Sequence, residues 1–334
     1  MTGKNRFHKG KNMSQMKILI TGAGGMLGTD LGHALSLDFD VVGLERRPVT
    51  HLTVPYDICD LTQARKTREA ILSHKPEVII HTAAMTDVDY CEEHQDEALE
   101  NNVAATEHVV DAANEIDAPV IFYSTDYVFD GKKKGEYTET DIPNPLSFYG
   151  KTKRMGEEHI LRTSKRALIF RITWLFGIWG RCFPKAILRQ AAEVTKMNVV
   201  DDQIGRPTWS WDVAQAMRQL LIHNPEALSK PGVEIFHLGN SGSVHWADYA
   251  RFILKGAGLG AVKIKDIPSA HLKRPAPRPE NSVLSLEKSE KLLGLKLRSW
   301  EEATLEFLPK LKSELALLEA KAKAQAAEKE NASS

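Results

Sequence analysis

The sequence predicts an α/β protein built on a doubly wound parallel sheet, completed by a smaller mixed α/β lobe. Three observations lead there. Short apolar runs alternate with longer amphipathic stretches between Lys17 and Arg171, the pattern of right-handed strand–helix–strand crossovers. Glycines cluster directly after the first run. All 6 tryptophans lie beyond Arg171, in a stretch that prolines cut into shorter elements.

Composition narrows the possibilities further. Of 334 residues, 42% are hydrophobic and 26% charged, a globular balance that excludes a largely disordered chain. Lys plus Arg and Asp plus Glu both number 44, so there is no net charge. A protein that coats nucleic acid or an anionic membrane needs a positive surplus. No apolar run reaches the roughly 18–20 residues of a bilayer span. Cys59, Cys91 and Cys182 form no CxxC pair, which argues against a disulfide framework or structural zinc and fits a reducing, cytoplasmic setting.

Residues 1–16 carry Lys4, Arg6, Lys9 and Lys11, no acid and scarcely an apolar side chain. They have neither the apolar core of a signal peptide nor the amphipathic character of a presequence, so a disordered basic arm is expected. A nucleotide-binding domain follows over 17–171. Its strands are read at Lys17–Thr21, Asp40–Leu44, Glu77–His81, Pro119–Ser124 and Ala167–Arg171. Successive apolar residues in such short runs suit strands buried on both faces. Helical period runs through Leu61–His74 and Ala104–Ile116. Residues 172–309 are expected to form mainly a substrate-binding lobe, with room for part of it to interleave with the sheet. Residues 310–334 are rich in helix formers, with Leu311, Leu315 and Leu318 at helical spacing, which predicts a charged helical tail docked by its first turns.

The first strand ends in Thr21-Gly22-Ala23-Gly24-Gly25-Met26-Leu27-Gly28, a GxxGxxG spacing. Gly22 allows a sharp turn, Gly25 a close approach of pyrophosphate, and Gly28 close packing of the following helix, with Met26 and Leu27 taken as further cofactor contacts. Free N–H groups and the helix dipole then face the phosphates. The prediction is a Rossmann-type dinucleotide site. At the end of the second strand Glu45 can accept hydrogen bonds from an adenosine ribose, as NAD requires. Arg46 beside it can hold the 2′-phosphate of NADP. Both NADP(H) and NAD(H) stay open. Asp57 and Ile58 are assigned to the adenine from their position alone.

Tyr149 and Lys153 stand four apart, so on a helix they share one face. Tyrosine titrates near pH 10. An ammonium ~5 Å away, at an effective dielectric of ~20, is worth roughly 3 kcal/mol, or about two pKa units toward phenolate. A phenol tuned this way is a general acid for reducing a ketone. Among the tyrosines only Tyr149 has a lysine four residues on. Thr125, at a strand end that faces the ligand crevice, can bond the same substrate oxygen. Cys91-Glu92-Glu93-His94 looks superficially like a ligand set but has no distant partner pair. It reads as helix surface, and no metal is assigned.

Longer stretches carry a resemblance. TGxxGxxG and the YxxxK pair resemble the extended short-chain dehydrogenase/reductase superfamily. His81 to Asp89 (HTAAMTDVD), Ser124 to Gly131 (STDYVFDG), Asp201 to Thr208 (DDQIGRPT) and Pro275 to Pro279 (PAPRP) resemble the dTDP-4-dehydrorhamnose reductase family. So do Tyr149-Gly150-Lys151-Thr152-Lys153 and Arg171-Ile172-Thr173-Trp174, and the match runs from about Met16 to Leu308. Met85 stands where that family often carries an aromatic residue or histidine.

The resemblance implies NAD(P)H-dependent reduction of the C4 ketone of a nucleotide-linked 4-keto-6-deoxyhexose. It implies a catalytic set of Thr125, Tyr149 and Lys153, with Asp126, Tyr127 and Trp174 around the sugar. Ala83, Ala84 and Thr86 are taken as cofactor contacts within the matched stretch. The substrate diphosphate needs cations, and Arg206 and Arg278 sit in proline-stiffened segments that can offer bidentate forks. Two other readings stay open: another nucleotide-sugar reductase or epimerase, and a dinucleotide-holding regulatory subunit similar to the methionine adenosyltransferase beta subunit. The expected partner is a nucleotide sugar, with no nucleic acid or membrane, in a two-fold homodimer by default.

Overall fold

A computed structural model describes residues 16–313. The basic arm before Met16 and the tail after residue 313 lie outside the described residues. Seven strands form one sheet: β1 (Lys17–Thr21), β2 (Asp40–Glu45), β3 (Tyr56–Ile58), β4 (Val78–His81), β5 (Val120–Thr125), β6 (Arg166–Ile172) and β7 (Gly232–His237). They lie in the order β7-β6-β5-β4-β1-β2-β3, and every neighbouring pair is parallel. The expected strands all appear, with ends that differ by one residue at most.

Strand β1 pairs with β2 on one side and β4 on the other. Winding therefore reverses between β1 and β4, and a crevice opens beyond their last residues, Thr21 and His81. Side chains along β1 alternate between two cores. Ile18 and Ile20 pack under α1 (Met26–Leu35), while Leu19 packs under α2 (Ala64–His74), α3 (Ala105–Glu115) and α4 (Phe148–Thr163). All three side chains are fully buried, each contributing ~1.5–3 kcal/mol over exposure.

Later segments of the chain return to this sheet. Helix α5 (Ser210–His223) packs beside α1 through Val213, Met217 and Leu220. Strand β7 covers the edge of β6, with Ile235 opposite Ile169 and Phe236 opposite Phe170. Leu295 and Leu297 join the same core. An apolar edge such as that of β6 needs a partner, and residues beyond 171 supply it. The remaining later residues build a second core from Phe176, Trp209, Tyr249, Trp300 and Phe307. It holds together the helices Phe183–Ala191 and Trp246–Gly256, a helix over 300–313, and the parallel pair Lys196–Val200 with Lys263–Ile267. Among the described residues no helix is long and apolar enough to cross a membrane.

Candidate active site

The crevice at the winding reversal is a cleft of about 400 Å³. Its floor is the turn after β1. Gly22 there has φ +65, and a Cβ on it would stand 2.7 Å from the backbone of Ala83. A Cβ on Gly28 would stand 2.1 Å from the Gly22 carbonyl oxygen, so α1 can lie against its own entry turn only without one. Gly25 precedes α1 in an extended conformation and offers no capping side chain. The first N–H groups of α1 are therefore available to an anion. Shape, glycine cradle and free donors fit a dinucleotide.

Gly22, Gly25, Glu45, Arg46, Ala83 and Ala84, all assigned to the cofactor from the sequence, line this cleft. Glu45 Oε1 accepts from Gly24 N–H at 2.5 Å, so part of its carboxylate holds the turn together. Arg46 donates to Asn101 Oδ1 at 3.1 Å. Leu27 turns its side chain into the sheet core, and Met26 lies against Gly177 and Gly180, so only their backbone faces the turn.

Three residues assigned to the cofactor stand outside the lining of the cleft. Asp57 and Ile58 do not line the cleft; Cys59, Asp60 and Leu61 do. Strand β3 ends at Ile58, and Asp57 points to His74 Nε2 at 2.8 Å. The ligand side begins only past the strand end, so the sequence assignment fell short of it. Thr86 is exposed and outside the lining, where Thr82 stands instead, its hydroxyl donating to the Thr21 carbonyl at 2.8 Å.

Past Met85, outside the lining of the cleft, stand the buried side chains of Thr125, Tyr149 and Lys153. Thr125 closes β5, and its Oγ1 accepts from Tyr127 N–H at 3.2 Å and donates to Asp126 Oδ1 at 3.1 Å. Helix α4 starts one residue after Ser147, whose Oγ accepts from Gly150 N–H at 3.2 Å, a side-chain cap that fixes the first turn. A Cβ on Gly150 would fall 2.2 Å from the Tyr127 carbonyl oxygen, so this first turn sits directly on the Asp126–Val128 turn. That contact brings the Tyr149 hydroxyl to Thr125. Tyr149 packs with Met85, which also lines the cleft.

The electrostatics differ from the expected tuning. Burial, then the Asp126 carboxylate, push the Tyr149 phenol above its ordinary range, and the Thr125 hydroxyl pulls the other way. Lys153, further along α4, stands over a ring of the sheet. Its ammonium lies 4.0 Å from the centre of the Phe122 ring. Burial lowers it to about 7, against an opposing pull from Glu157. The helical spacing thus puts the pair on one face, but sheet packing turns the ammonium toward Phe122. Burial likewise raises Asp126 to about 6.

Asn102 was not singled out by the sequence reading. It sits in a π-turn, Glu100–Ala104, and its amide accepts from Met85 N–H at 2.7 Å and donates to Met85 O at 3.0 Å. It donates also to Thr152 Oγ1 at 3.0 Å on α4, coupling the cofactor loop to the catalytic helix. Adjacent asparagines in a helix interior, where they are poor formers, were the available signal.

The sugar-side assignments divide. Tyr127 is half-buried and meets Tyr149 edge-on at 5.7 Å. Trp174 has φ +45 and stacks on Trp246 at 3.4 Å, so at most one face is open to a ligand. Arg206 is not a phosphate clamp. It is 4% exposed, and its guanidinium is spent on the carbonyls of Asn240, Gly242 and Leu284 and on Glu136. Arg278 is beside Tyr127, but both its Nη atoms go to Asp89, at 2.5 and 2.8 Å. Exposed Arg274 lies close enough to feel Arg278, Asp89 and Tyr127. The Cys91–His94 segment holds no ligand set: Cys91 is buried against Tyr149, Glu92 accepts from Phe148 N–H at 2.7 Å, and His94 stacks on Tyr90.

Residues 16–313 match the family described as RmlD substrate binding domain. The spore coat polysaccharide biosynthesis protein SpsK of Bacillus subtilis is 34% identical, covering 87% of this chain and 96% of its own. A dTDP-4-dehydrorhamnose reductase of Aggregatibacter actinomycetemcomitans is 36% identical, covering 86% and 96%. The crystal structure of a dTDP-4-dehydrorhamnose reductase from Clostridium acetobutylicum matches with a TM-score of 0.80 at 32% identity, covering 89% of this chain and 100% of that one. The Bacillus anthracis dTDP-4-dehydrorhamnose reductase in complex with NADP matches with a TM-score of 0.80 at 29% identity, covering 89% and 99%.

Proposed function

The chain belongs to the dTDP-4-dehydrorhamnose reductase family, and from there we propose that it reduces the C4 ketone of dTDP-4-dehydro-L-rhamnose, yielding dTDP-L-rhamnose. The family makes it an NAD(P)-dependent reductase. One observation carries the reading: the Tyr149 hydroxyl, beside Thr125, stands where Met85 joins its cluster to the glycine-floored cleft.

When bound, the reduced nicotinamide supplies a hydride to the ketone carbon. The glycine turn and the start of α1 hold the pyrophosphate. Glu45 and Arg46 meet the adenosine ribose, with Cys59, Asp60 and Leu61 around the adenine. Arg46 can contact a 2′-phosphate, while Glu45 is already engaged by Gly24, which favours NADP(H). Tyr149, kept protonated by burial, donates its proton to the oxygen that gains charge, and Thr125 steadies that oxygen. Lys153, one turn further along α4, would hold the nicotinamide ribose once its ammonium leaves the Phe122 ring.

The substrate diphosphate falls to Arg274, because Arg206 and Arg278 are already engaged. Arg274→Ala should raise the KM for the nucleotide sugar about tenfold, a charge-assisted bond's worth, and leave the cofactor KM unchanged. The same reading has a homodimer working in the cytoplasm.

The deciding experiment follows loss of reduced-nicotinamide absorbance from NADPH or NADH with dTDP-4-dehydro-L-rhamnose, identifying the product by chromatography. Formation of dTDP-L-rhamnose is expected. Folded protein that oxidises neither cofactor would overturn the proposal.

A further inference from the structure

Lys153 is 3% exposed. Among the described residues its ammonium makes no hydrogen bond and no ion pair. What it has is the face of Phe122, 4.0 Å from the ring centre. A buried charge without acceptors is costly. A cation–π contact offsets only part of that cost, about two- to fivefold in an equilibrium.

The ring is fixed from three sides. Phe122 lies within β5, opposite His81 of β4 and Ile169 of β6, and is fully buried. The His81 ring stacks on it with centres 5.6 Å apart. His81 is itself held at both nitrogens, Nδ1 at 2.6 Å from Thr21 Oγ1 and Nε2 at 3.0 Å from Thr106 Oγ1. Thr106 donates its own proton to the Asn102 carbonyl at 2.7 Å, so Nε2 carries the imidazole proton and Nδ1 accepts from Thr21. From the side of α4, a Cβ on Gly156 would stand 3.3 Å from the Phe122 ring. The lysine, on a flexible four-carbon stem, is therefore the partner able to move.

The charged groups around it are engaged elsewhere. Glu157, one turn further along α4, pulls on Lys153, but Arg171 of β6 donates to both its oxygens at 2.8 Å. His81 is kept neutral by burial, lowered to about 3. Asp126, past β5, accepts from Thr125. From the helix Val88–Glu93, Asp89 takes Arg278 and Glu92 takes the Phe148 N–H. Glu107 and Asp111 of α3 stand at His159.

We propose that Phe122 is a positioning residue: its ring holds the Lys153 ammonium until a nicotinamide nucleotide binds, and the group then leaves the ring for the ribose oxygens. The inference rests on the reading above that Lys153 serves that ribose. On the ring, burial lowers Lys153 to about 7, so at pH 8 most chains carry a neutral amine there. Hydroxyl acceptors favour the charged form, and binding at pH 8 therefore takes a proton from solvent onto Nζ. By linkage, nucleotide affinity falls as pH rises above 7, about fivefold between pH 7 and 8.

The test is calorimetric titration of the full chain with NADPH, in buffers of different ionisation enthalpy, for the parent, Phe122→Leu, Lys153→Met and the double variant. At pH 8 the parent should take up roughly one proton, and Lys153→Met none. Phe122→Leu should bind NADPH about two- to fivefold more tightly at pH 6, where a cation–π contact no longer has to be broken. That gain should vanish by pH 9, where the amine is neutral. A ring that served packing alone would weaken binding when lost. In the Lys153→Met background the Phe122 substitution should change nothing.

Circular dichroism checks folding, and Phe122→Met, closer in volume, replaces Phe122→Leu should that variant unfold; the proton count in the parent needs no variant. Equal or weaker binding by the folded Phe122 variant at pH 6, or binding by the parent at pH 8 without proton uptake, overturns the inference while Lys153→Met still weakens binding. Unchanged affinity in Lys153→Met removes the ribose reading and the inference with it. None of these outcomes depends on turnover of a sugar substrate.

Discussion

The glycine-floored cleft and the buried cluster around Tyr149 beyond it are built from different material. At the phosphate end the work is done by backbone: Gly22 in a left-handed turn, Gly28 against the Gly22 carbonyl, and the uncapped start of α1. At the reducing end it is done by side chains that packing has removed from water, with Tyr149 and Asp126 raised and Lys153 lowered by burial. The first kind of site is set by local stereochemistry. The second takes its properties from whatever else is folded around it, because desolvation is a property of the whole environment.

Substitutions can break or sharpen that contrast. The largest effect is expected at the reducing end. Tyr149→Phe should lower kcat by ~10²–10⁴ while the cofactor dissociation constant, measured by fluorescence titration, stays within twofold. At the phosphate end Arg46→Ala should cost ~1.5–3 kcal/mol of NADPH binding, with NADH scarcely affected; equal losses for both cofactors would remove the 2′-phosphate assignment. Gly28→Ala, whose added methyl has no room, should lower stability by ~1–3 kcal/mol and weaken both cofactors together in calorimetric titration.

The smallest effect is a pH dependence. Lys153 is lowered from 10.5 to about 7 in the folded chain. Between those values the unfolded chain holds more protons on this group, so its contribution to stability rises with pH. Comparing urea midpoints of the parent and Lys153→Met from pH 6 to 9, the parent should gain on the variant by roughly 1 kcal/mol per pH unit above pH 7. A constant difference would mean that the ammonium is not desolvated.

Much of the phosphate end was legible in the chain. Gly22, Gly25, Gly28, Glu45 and Arg46 are adjacent in sequence to a strand end, and strand ends are readable from apolar runs. Asp57 and Ile58 fall just short of the cleft lining because β3 is a three-residue edge strand whose end leaves no hydrophobic signature. Arg206 and Arg278 looked alike as sequence, each a cation beside a proline. Their partners, three carbonyls and Glu136 for one and Asp89 for the other, come from segments far away in the chain. Asn102 escaped notice for the same reason, since Met85 and Thr152 meet it only across the fold.

By itself, the sequence determined the alternation of strands and helices, the glycine turn and the shared face of Tyr149 and Lys153, because each depends on residues within a few positions of one another. Tertiary structure alone decided that β7 and α5 return to close the sheet. It also decided where the Lys153 ammonium points, and which arginines remain free for a ligand. Those outcomes turn on burial and on partners distant in the chain, and neither exists until the layers have packed.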